Sequence, residues 1–239
     1  MTATMSTAVL PATPPARAEV LSALAKVRDP ELDEPITDLR FVQEVRVSGD
    51  RVEVDLRLPT YFCAPNFAYL MVADAYDELA RLPGVRGVTV RLLDHFASEE
   101  INAGVSGGRG FAGSFPGMAD GELAELRADF LRKVHRALQE RVAAGMLGGG
   151  LQLADLVGTT LADAPPGPHL DRLVDRRREL GLPCGPEAPL LVHEDGRPIS
   201  AADLPLQLRF ARTTRVSIEG NATFCRGLLS VRYDLPPSG

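Results

Sequence analysis

Cysteine, lysine and tryptophan are scarce in this chain of 239 residues. Tryptophan is absent, only Lys26 and Lys133 are lysines, and arginine supplies almost all of the positive charge. The three cysteines, Cys63, Cys184 and Cys225, are odd in number, and none forms a C-x-x-C pair. This pattern disfavours a disulfide framework and fits a reducing compartment, so we expect a cytoplasmic protein.

Long apolar runs and an excess of positive charge are also missing. No run approaches the ~18–20 apolar residues that a membrane-spanning helix needs. The net charge of -6 disfavours nucleic acid as a partner, because phosphate binding needs a basic face. Residues 1–15 are rich in Thr, Ala and Pro, and we expect them to be disordered and not a secretory signal. We therefore expect neither a nucleic-acid nor a membrane partner.

Alternating and helical hydrophobic patterns follow one another in the first part of the chain. An amphipathic helix is expected first, then a hairpin of two strands, a second helix and a third strand. Pro and Gly residues mark the breaks between these elements. The pattern predicts an α-β-β-α-β domain over residues 16–97, with elements at 16–27, 41–47, 51–58, 65–82 and 85–93.

Residues 98–239 have a different character and are expected to form a C-terminal extension. A glycine-rich flexible loop (104–117) precedes a long amphipathic helix (119–144) and an Arg-rich helix (169–180). We expect a small hairpin over 189–199 and terminal strands at 216–219 and 228–233. The predicted fold class is therefore α+β, with a small α-β-β-α-β domain followed by a mainly helical extension with a few short strands.

The predicted topology gathers several reactive groups at one edge of the sheet. A right-handed crossover makes the second and third strands parallel, so their carboxyl ends meet. The loop from Thr60 to Pro65 follows one strand and Asp94-His95 follows the other. The acidic residues Asp29, Glu31 and Asp38 precede the antiparallel first strand. Because ligands of open α/β sheets bind beyond the carboxyl ends of strands, we expect a site at this edge.

Cys63 is the most informative residue of this edge. It stands just before the helix that begins near Pro65, where unpaired N–H groups and the helix dipole favour an anion. The thiolate is the form that binds metals or attacks substrates. The alternative is a small buried hydrophobic residue, which is the common fate of a single cysteine. The position between loop and helix favours the functional interpretation.

The remaining candidates each have an alternative structural role. His95 is a candidate metal ligand or base, or else a hydrogen-bonded residue at a strand end. Asp29 and Glu31 are candidate oxygen ligands, although acidic residues in loops often close turns. Cys184, His193 and Cys225 have no spacing typical of a second metal site.

These motifs resemble those of the MIP18 family of iron–sulfur assembly domains, also called DUF59 or SufT-like. Asp29-Pro30-Glu31 is similar to the family's acidic turn, and Pro35-Ile36-Thr37-Asp38-Leu39 to its next signature. Thr60 and Cys63 resemble its Thr-x-x-x-Cys-Pro loop. This chain departs from that loop in having Ala64 between Cys63 and Pro65, and in a Thr–Cys spacing one residue shorter. The resemblance covers residues 16–97.

The resemblance implies an accessory factor, not an enzyme, that matures a client metalloprotein through Cys63. It implies transient binding of iron or an iron–sulfur cluster, with Cys63, His95, Asp29 and Glu31 as candidate ligands. Thr60, Asp38 and Pro65 would shape the site. Long forms of the family suggest a bacterial di-iron monooxygenase as client, and the chain has too few cysteines for the zinc ribbon of one related branch.

Two further expectations concern partners. A single thiol needs more ligands to complete a soft metal site, which favours a homodimer. The extension is expected to dock a client, with Phe111 and Phe115 as anchors unless they pack on their own core. The alternative functions are a thiol enzyme with Cys63 as nucleophile and His95 as base, and a non-catalytic interaction module.

Overall fold

The computed structural model describes residues 13–115 and 120–236. The predicted disordered segment lies mostly outside these residues, and so does the end of the predicted glycine loop. Contacts divide the chain into two compact units. The N-terminal unit comprises the described residues of Met1–Arg28 and Glu34–Pro116, and the C-terminal unit those of Asp29–Asp33 and Gly117–Gly239. In the described part of the chain, no helix is long and apolar enough to cross a membrane.

The N-terminal unit has the predicted order of elements. A three-stranded sheet has the order β1-β2-β3, with β1 and β2 antiparallel and β2 and β3 parallel. Helix α2 makes the crossover between the parallel strands. The elements are α1 (Arg17–Leu24), β1 (Val42–Ser48), β2 (Arg51–Arg57), α2 (Pro65–Ala80), β3 (Gly87–Leu93), α3 (Ser98–Ser106) and α4 (Gly110–Ser114).

The two faces of the sheet differ as the alternation in β2 requires. Val52, Val54 and Leu56 are buried with the apolar residues of the helices. The intervening residues of β2 point to the opposite face, where Asp55 binds arginines on both neighbouring strands. Its carboxylate accepts hydrogen bonds from Arg46 at 2.9 Å and from Arg91 at 2.8 Å. Period-two alternation therefore places an apolar core on one face and an ionic ladder on the other.

The boundary of the first unit lies later than the expected one at residue 97. Helix α3 covers the outer edge of β3, where the Asn102 side chain accepts from the Leu92 N–H at 2.8 Å and donates to its carbonyl at 3.0 Å. Ile101 is fully buried in the same unit. The edge strand needs these partners, so α3 belongs to the first domain.

The predicted flexible loop is helical over most of its length. Helix α3 extends to Ser106, and α4 follows at Gly110–Ser114. Phe111 on α4 is buried and packs edge-on against Tyr69 of α2, with ring centroids 5.2 Å apart. The expectation that Phe111 anchors a partner is therefore wrong, because its ring is already part of its own core. Phe115 is half-buried and packs on Phe111 at 5.0 Å.

The C-terminal unit is helical. Its long helices α5 and α7 each have 29 residues, and α6 begins with Pro168 and ends at Gly181 in the left-handed region with φ 68. An antiparallel bridge between Val192 and Pro198 encloses the predicted turn at Asp195-Gly196. Its elements are α5 (Asp120–Gly148), two 3-10 helices (Leu153–Leu156 and Leu161–Asp163), α6 (Pro168–Leu180) and α7 (Leu204–Arg232).

The two predicted terminal strands are wrong. Both segments, 216–219 and 228–233, fall within or at the end of α7, and the described C-terminal unit contains isolated bridges but no strand. Helix α7 buries Leu204, Ala211, Ala222 and Leu229 at helical spacing. This periodic face overrides the local β-propensity of the short Val- and Leu-containing segments.

A buried arginine organises the core of the C-terminal unit. Arg177 of α6 is 0% exposed, yet its five N–H groups all donate hydrogen bonds. The acceptors are His135 Nε2, Gln139 Oε1 and the carbonyls of Pro183, Pro189 and Leu190, at 2.7–3.3 Å. Burial lowers the pKa of Arg177 to about 10, so the group remains a cation near neutral pH. All five hydrogen-bond acceptors of this cation are neutral groups.

Candidate functional site

The Cys63 loop connects β2 to α2, as predicted. Strand β2 ends at Arg57, and α2 begins at Pro65, two residues after the cysteine. Proline suits this first helical position because its missing N–H would have no intrahelical partner. Cys63 is half-buried and carries a free thiol. The thiol is therefore partly accessible at a helix start.

Thr60 is the residue that contacts the sulfur. Its Oγ1 lies 3.3 Å from Cys63 Sγ, and it also accepts a hydrogen bond from the Phe62 N–H at 3.3 Å. A hydroxyl that accepts from this backbone N–H can donate its own proton to a thiolate. Thr60 thus shapes the loop and is positioned to stabilise a negative sulfur.

His95 fixes the loop from the neighbouring strand end. Its ring is buried, and its Nδ1 accepts a hydrogen bond from the Ala97 N–H at 3.2 Å. The proton therefore resides on Nε2, which donates to the Cys63 carbonyl oxygen at 2.7 Å. A second bond, from the Phe96 N–H to the Tyr61 carbonyl at 3.2 Å, ties the same two segments together.

The predicted role of His95 as a metal ligand is not supported. Both ring nitrogens bind backbone groups, and metal ligation would require breaking one of these buried bonds. The same geometry argues against a cysteine–histidine pair, because Nε2 bonds to the cysteine's carbonyl and not to its sulfur. His95 is a positioning residue that sets the conformation of the Cys63 loop.

The predicted acidic ligands bind groups of their own chain, and Asp29 closes a turn. The Asp29 Oδ1 accepts from the N–H groups of Glu31 and Leu32, each at 2.9 Å. The Glu31 Oε1 accepts from Asn221 Nδ2 at 3.2 Å within the C-terminal unit. Asp38 is exposed and accepts from Thr37 Oγ1 at 3.2 Å. Across the residues that the structure describes, no three His, Cys, Asp or Glu side chains form a group able to hold a metal ion.

An exposed aromatic patch borders the cysteine loop, and sequence reasoning missed it. It consists of Tyr61, Phe62 and Phe96, with ring centroids 5.0–6.3 Å apart. Phe62 is 77% exposed although it directly precedes Cys63, and the other two rings are each 47% exposed. The available signal was a Tyr-Phe pair in the same loop as the cysteine. Clustered exposed aromatic rings are typical of protein interfaces.

The other two cysteines lie in the C-terminal unit. Cys184 and Cys225 are half-buried, and neither is part of a disulfide. Within the described ranges, neither cysteine forms a group of three metal-ligating side chains with His193 or any other residue. Cys63 is therefore the thiol that the fold combines with a helix start, a hydroxyl and an aromatic patch.

The comparison with known families bears on this same part of the chain. Residues 17–92 match a family model described as "Iron-sulfur cluster assembly protein". No curated protein matches the chain. The match includes β1, β2, α2, most of β3 and the Cys63 loop, and it confirms the resemblance on which the candidate site was predicted.

Proposed function

We propose that this chain, whose N-terminal domain belongs to the MIP18-like iron–sulfur cluster assembly family, matures a client metalloprotein through Cys63. The family match supports a role in iron–sulfur cluster assembly in general. The observation that carries the finer proposal is a half-buried thiol at the start of α2, held by His95 and bordered by exposed aromatic rings.

The chemistry of the loop fits transient handling of a cluster or of iron as cargo. One thiolate and one hydroxyl supply a single strong ligand, which is too few for a stable four-ligand site. The remaining ligands must come from elsewhere, either from the client or from a second copy of the chain. Weak, shared ligation suits a protein that transfers its cargo, because tight binding would prevent release.

The aromatic patch supports the docking part of the proposal. Tyr61 and Phe62 precede the cysteine directly in the loop, so a client that covers them brings its own ligands close to the sulfur. Aromatic side chains at the centre of an interface contribute a large share of binding energy. We propose a metalloprotein client in the reducing cytoplasm. A di-iron monooxygenase is the candidate suggested by long forms of the family.

The two alternative functions have less support than the proposed one. A thiol enzyme needs a base on the sulfur, and the predicted base, His95, is bound to a backbone carbonyl. A pure interaction module would leave no role for a thiol at a helix start with a hydroxyl at 3.3 Å.

Anaerobic reconstitution with ferrous iron and sulfide tests the proposal. The full chain should gain the visible absorbance of an iron–sulfur cluster, and a purified apo-ferredoxin added afterwards should receive it. A Cys63→Ser variant should lose both, whereas Cys184→Ser is the matched control and should retain both. Equal cluster yield and transfer by Cys63→Ser and the unchanged chain would refute the proposal.

A further inference from the structure

Helix α7 carries a continuous exposed face that its own unit does not cover. Leu206, Phe210, Phe224 and Val231 lie on it and are between 49% and 85% exposed. Four small residues complete the same face, and all are exposed: Thr213, Ser217, Gly220 and Gly227. We refer to these eight residues as the α7 stripe.

The spacing of the stripe is that of a coiled-coil seam. Its members follow one another in alternating steps of three and four residues from Leu206 to Val231. The buried residues of α7, such as Ala211 and Leu229, lie on the opposite side of the helix. At about 1.5 Å per residue the stripe is about 38 Å long.

The two glycines of the stripe have no role within their own chain. Both lie inside a long helix, where glycine is the least favourable residue after proline. Neither has a positive φ, and a Cβ added at Gly220 or Gly227 would meet no atom within 4 Å. Nothing in the described chain therefore requires a missing side chain there. The missing side chains leave room for a partner surface to approach the helix closely.

The order of large and small residues along the stripe identifies a partner of matching shape. Reversing the stripe about the point between Ile218 and Glu219 aligns each phenylalanine with a smaller residue. Phe210 then faces Gly227, and Phe224 faces Thr213. At the centre Ser217 faces Gly220, and at the ends Leu206 faces Val231. The reversed stripe fits the original.

We propose that α7 pairs with α7 of a second copy of this chain, antiparallel and about a two-fold axis between residues 218 and 219. The four pairs above then form the layers of the contact, each occurring twice. Antiparallel coiled coils combine positions of unlike type in each layer, which is the arrangement found here. An isologous contact of this kind closes at two copies.

A parallel pair fits less well. It would set Phe210 against Phe210 of the second copy and Gly227 against Gly227, producing alternate clashes and gaps. The sizes of the stripe residues therefore favour the antiparallel orientation.

The contact is small, so the experiment must be able to detect a weak dimer. A single pair of helices about 38 Å long lies at the lower end of interface sizes, where association is often transient. Sedimentation velocity on the full chain from about 1 µM to about 100 µM should show a monomer converting to a dimer with rising concentration. A chain that stays monomeric throughout this range contradicts the pairing.

Gly227→Leu is the decisive variant. The added side chain meets nothing in its own chain and improves helix propensity, so the fold is retained. In the dimer it collides with Phe210 of the second copy and should weaken association at least about tenfold. Gly145→Leu is the matched control, because Gly145 is an exposed helical glycine of α5 with equal space and lies off the stripe. It should associate like the unchanged chain.

A compensating variant tests the register. Phe210→Ala combined with Gly227→Leu exchanges large and small within the same layer and should restore association. Unchanged association of Gly227→Leu would place the contact on another face. Stronger association of Gly227→Leu would indicate parallel pairing. If the double variant does not regain association, Phe210 and Gly227 do not face each other. Each of these results overturns the proposal. The readout is independent of Cys63, so it stands or falls separately from the proposed function.

Discussion

The pair formed by His135 and Arg177 should make the stability of the C-terminal unit depend on pH. Arg177 donates from Nε to His135 Nε2 at 3.2 Å, and a guanidinium cannot accept, so His135 must be neutral to keep this bond. Burial, with the charges of Arg177 and Arg136, lowers the pKa of His135 from 6.5 to about 3. The imidazole therefore stays neutral in the folded state over most of the acidic range.

The sign of the effect follows from which state binds the proton. Below pH 6.5 the unfolded chain protonates His135 and the folded chain does not, so the free energy of unfolding decreases as pH falls. The loss continues until the folded pKa near 3. Between pH 7 and pH 5 this one group should remove about 2 kcal/mol, at about 1.36 kcal/mol per pH unit below 6.5.

His135→Gln provides the comparison, because the Gln side-chain oxygen can accept from Arg177 without titrating. Urea unfolding followed by circular dichroism should show the unchanged chain losing about 2 kcal/mol more than the variant between pH 7 and pH 5. NMR titration of the His135 ring measures the same pKa directly, even if the variant is unstable. Parallel pH dependences in the two proteins, or a His135 pKa near 6.5, would refute the reasoning.

Three other substitutions test the N-terminal unit. His95→Phe should destabilise it by about 1–3 kcal/mol, because the Cys63 carbonyl and the Ala97 N–H lose their buried partner; it should also lower the yield of cluster reconstitution although the thiol remains. Phe62→Ser should change the free energy of unfolding by less than about 0.5 kcal/mol, since the ring is exposed, while weakening client binding; equal binding would exclude the aromatic patch as a docking surface. Burial alone would raise the pKa of Asp55, but hydrogen bonds from Arg91 and Arg46 lower it below the usual 3.8. The contribution of Asp55 to the free energy of unfolding is therefore present above pH 3.8 and is lost as pH falls through the lower folded pKa. Asp55→Asn should remove that part of the acid dependence, which urea unfolding measured at several pH values will detect.

The N-terminal unit was predictable because its local signals agree with one another. Alternation in β2, the glycine turn before it and the proline that starts α2 indicate the same α-β-β-α-β order. The handedness of the crossover then places the Cys63 loop and His95 at adjacent strand ends, and the structure has them there. Topology rules of this kind position backbone segments well.

Side-chain roles at the site were harder to predict, because they depend on hydrogen bonds that no spacing encodes. Whether His95 presents a nitrogen to a metal depends on which backbone groups surround it, and two of them occupy the ring. The same holds for Asp29, because its Oδ1 accepts a hydrogen bond from a turn N–H group that would compete with a cation for this oxygen. Phe111 was ambiguous because an aromatic residue beside glycines suits a helix packed on Tyr69 as well as an exposed loop.

Helix α7 was misassigned for a reason that also supports the pairing proposal. Valine and leucine clusters separated by Gly220 and Gly227 are typical of short strands and turns, so local propensity argued against a helix. The helix forms because its buried residues recur at helical spacing along its whole length. Both glycines that weaken the helical signal lie on the exposed stripe, where an added Cβ would meet no atom of the chain within 4 Å. A segment selected only to fold would carry strong helix formers on that face. Gly227 opposite Phe210 and Thr213 opposite Phe224 in a reversed copy are therefore what we expect of a surface shaped for its own duplicate.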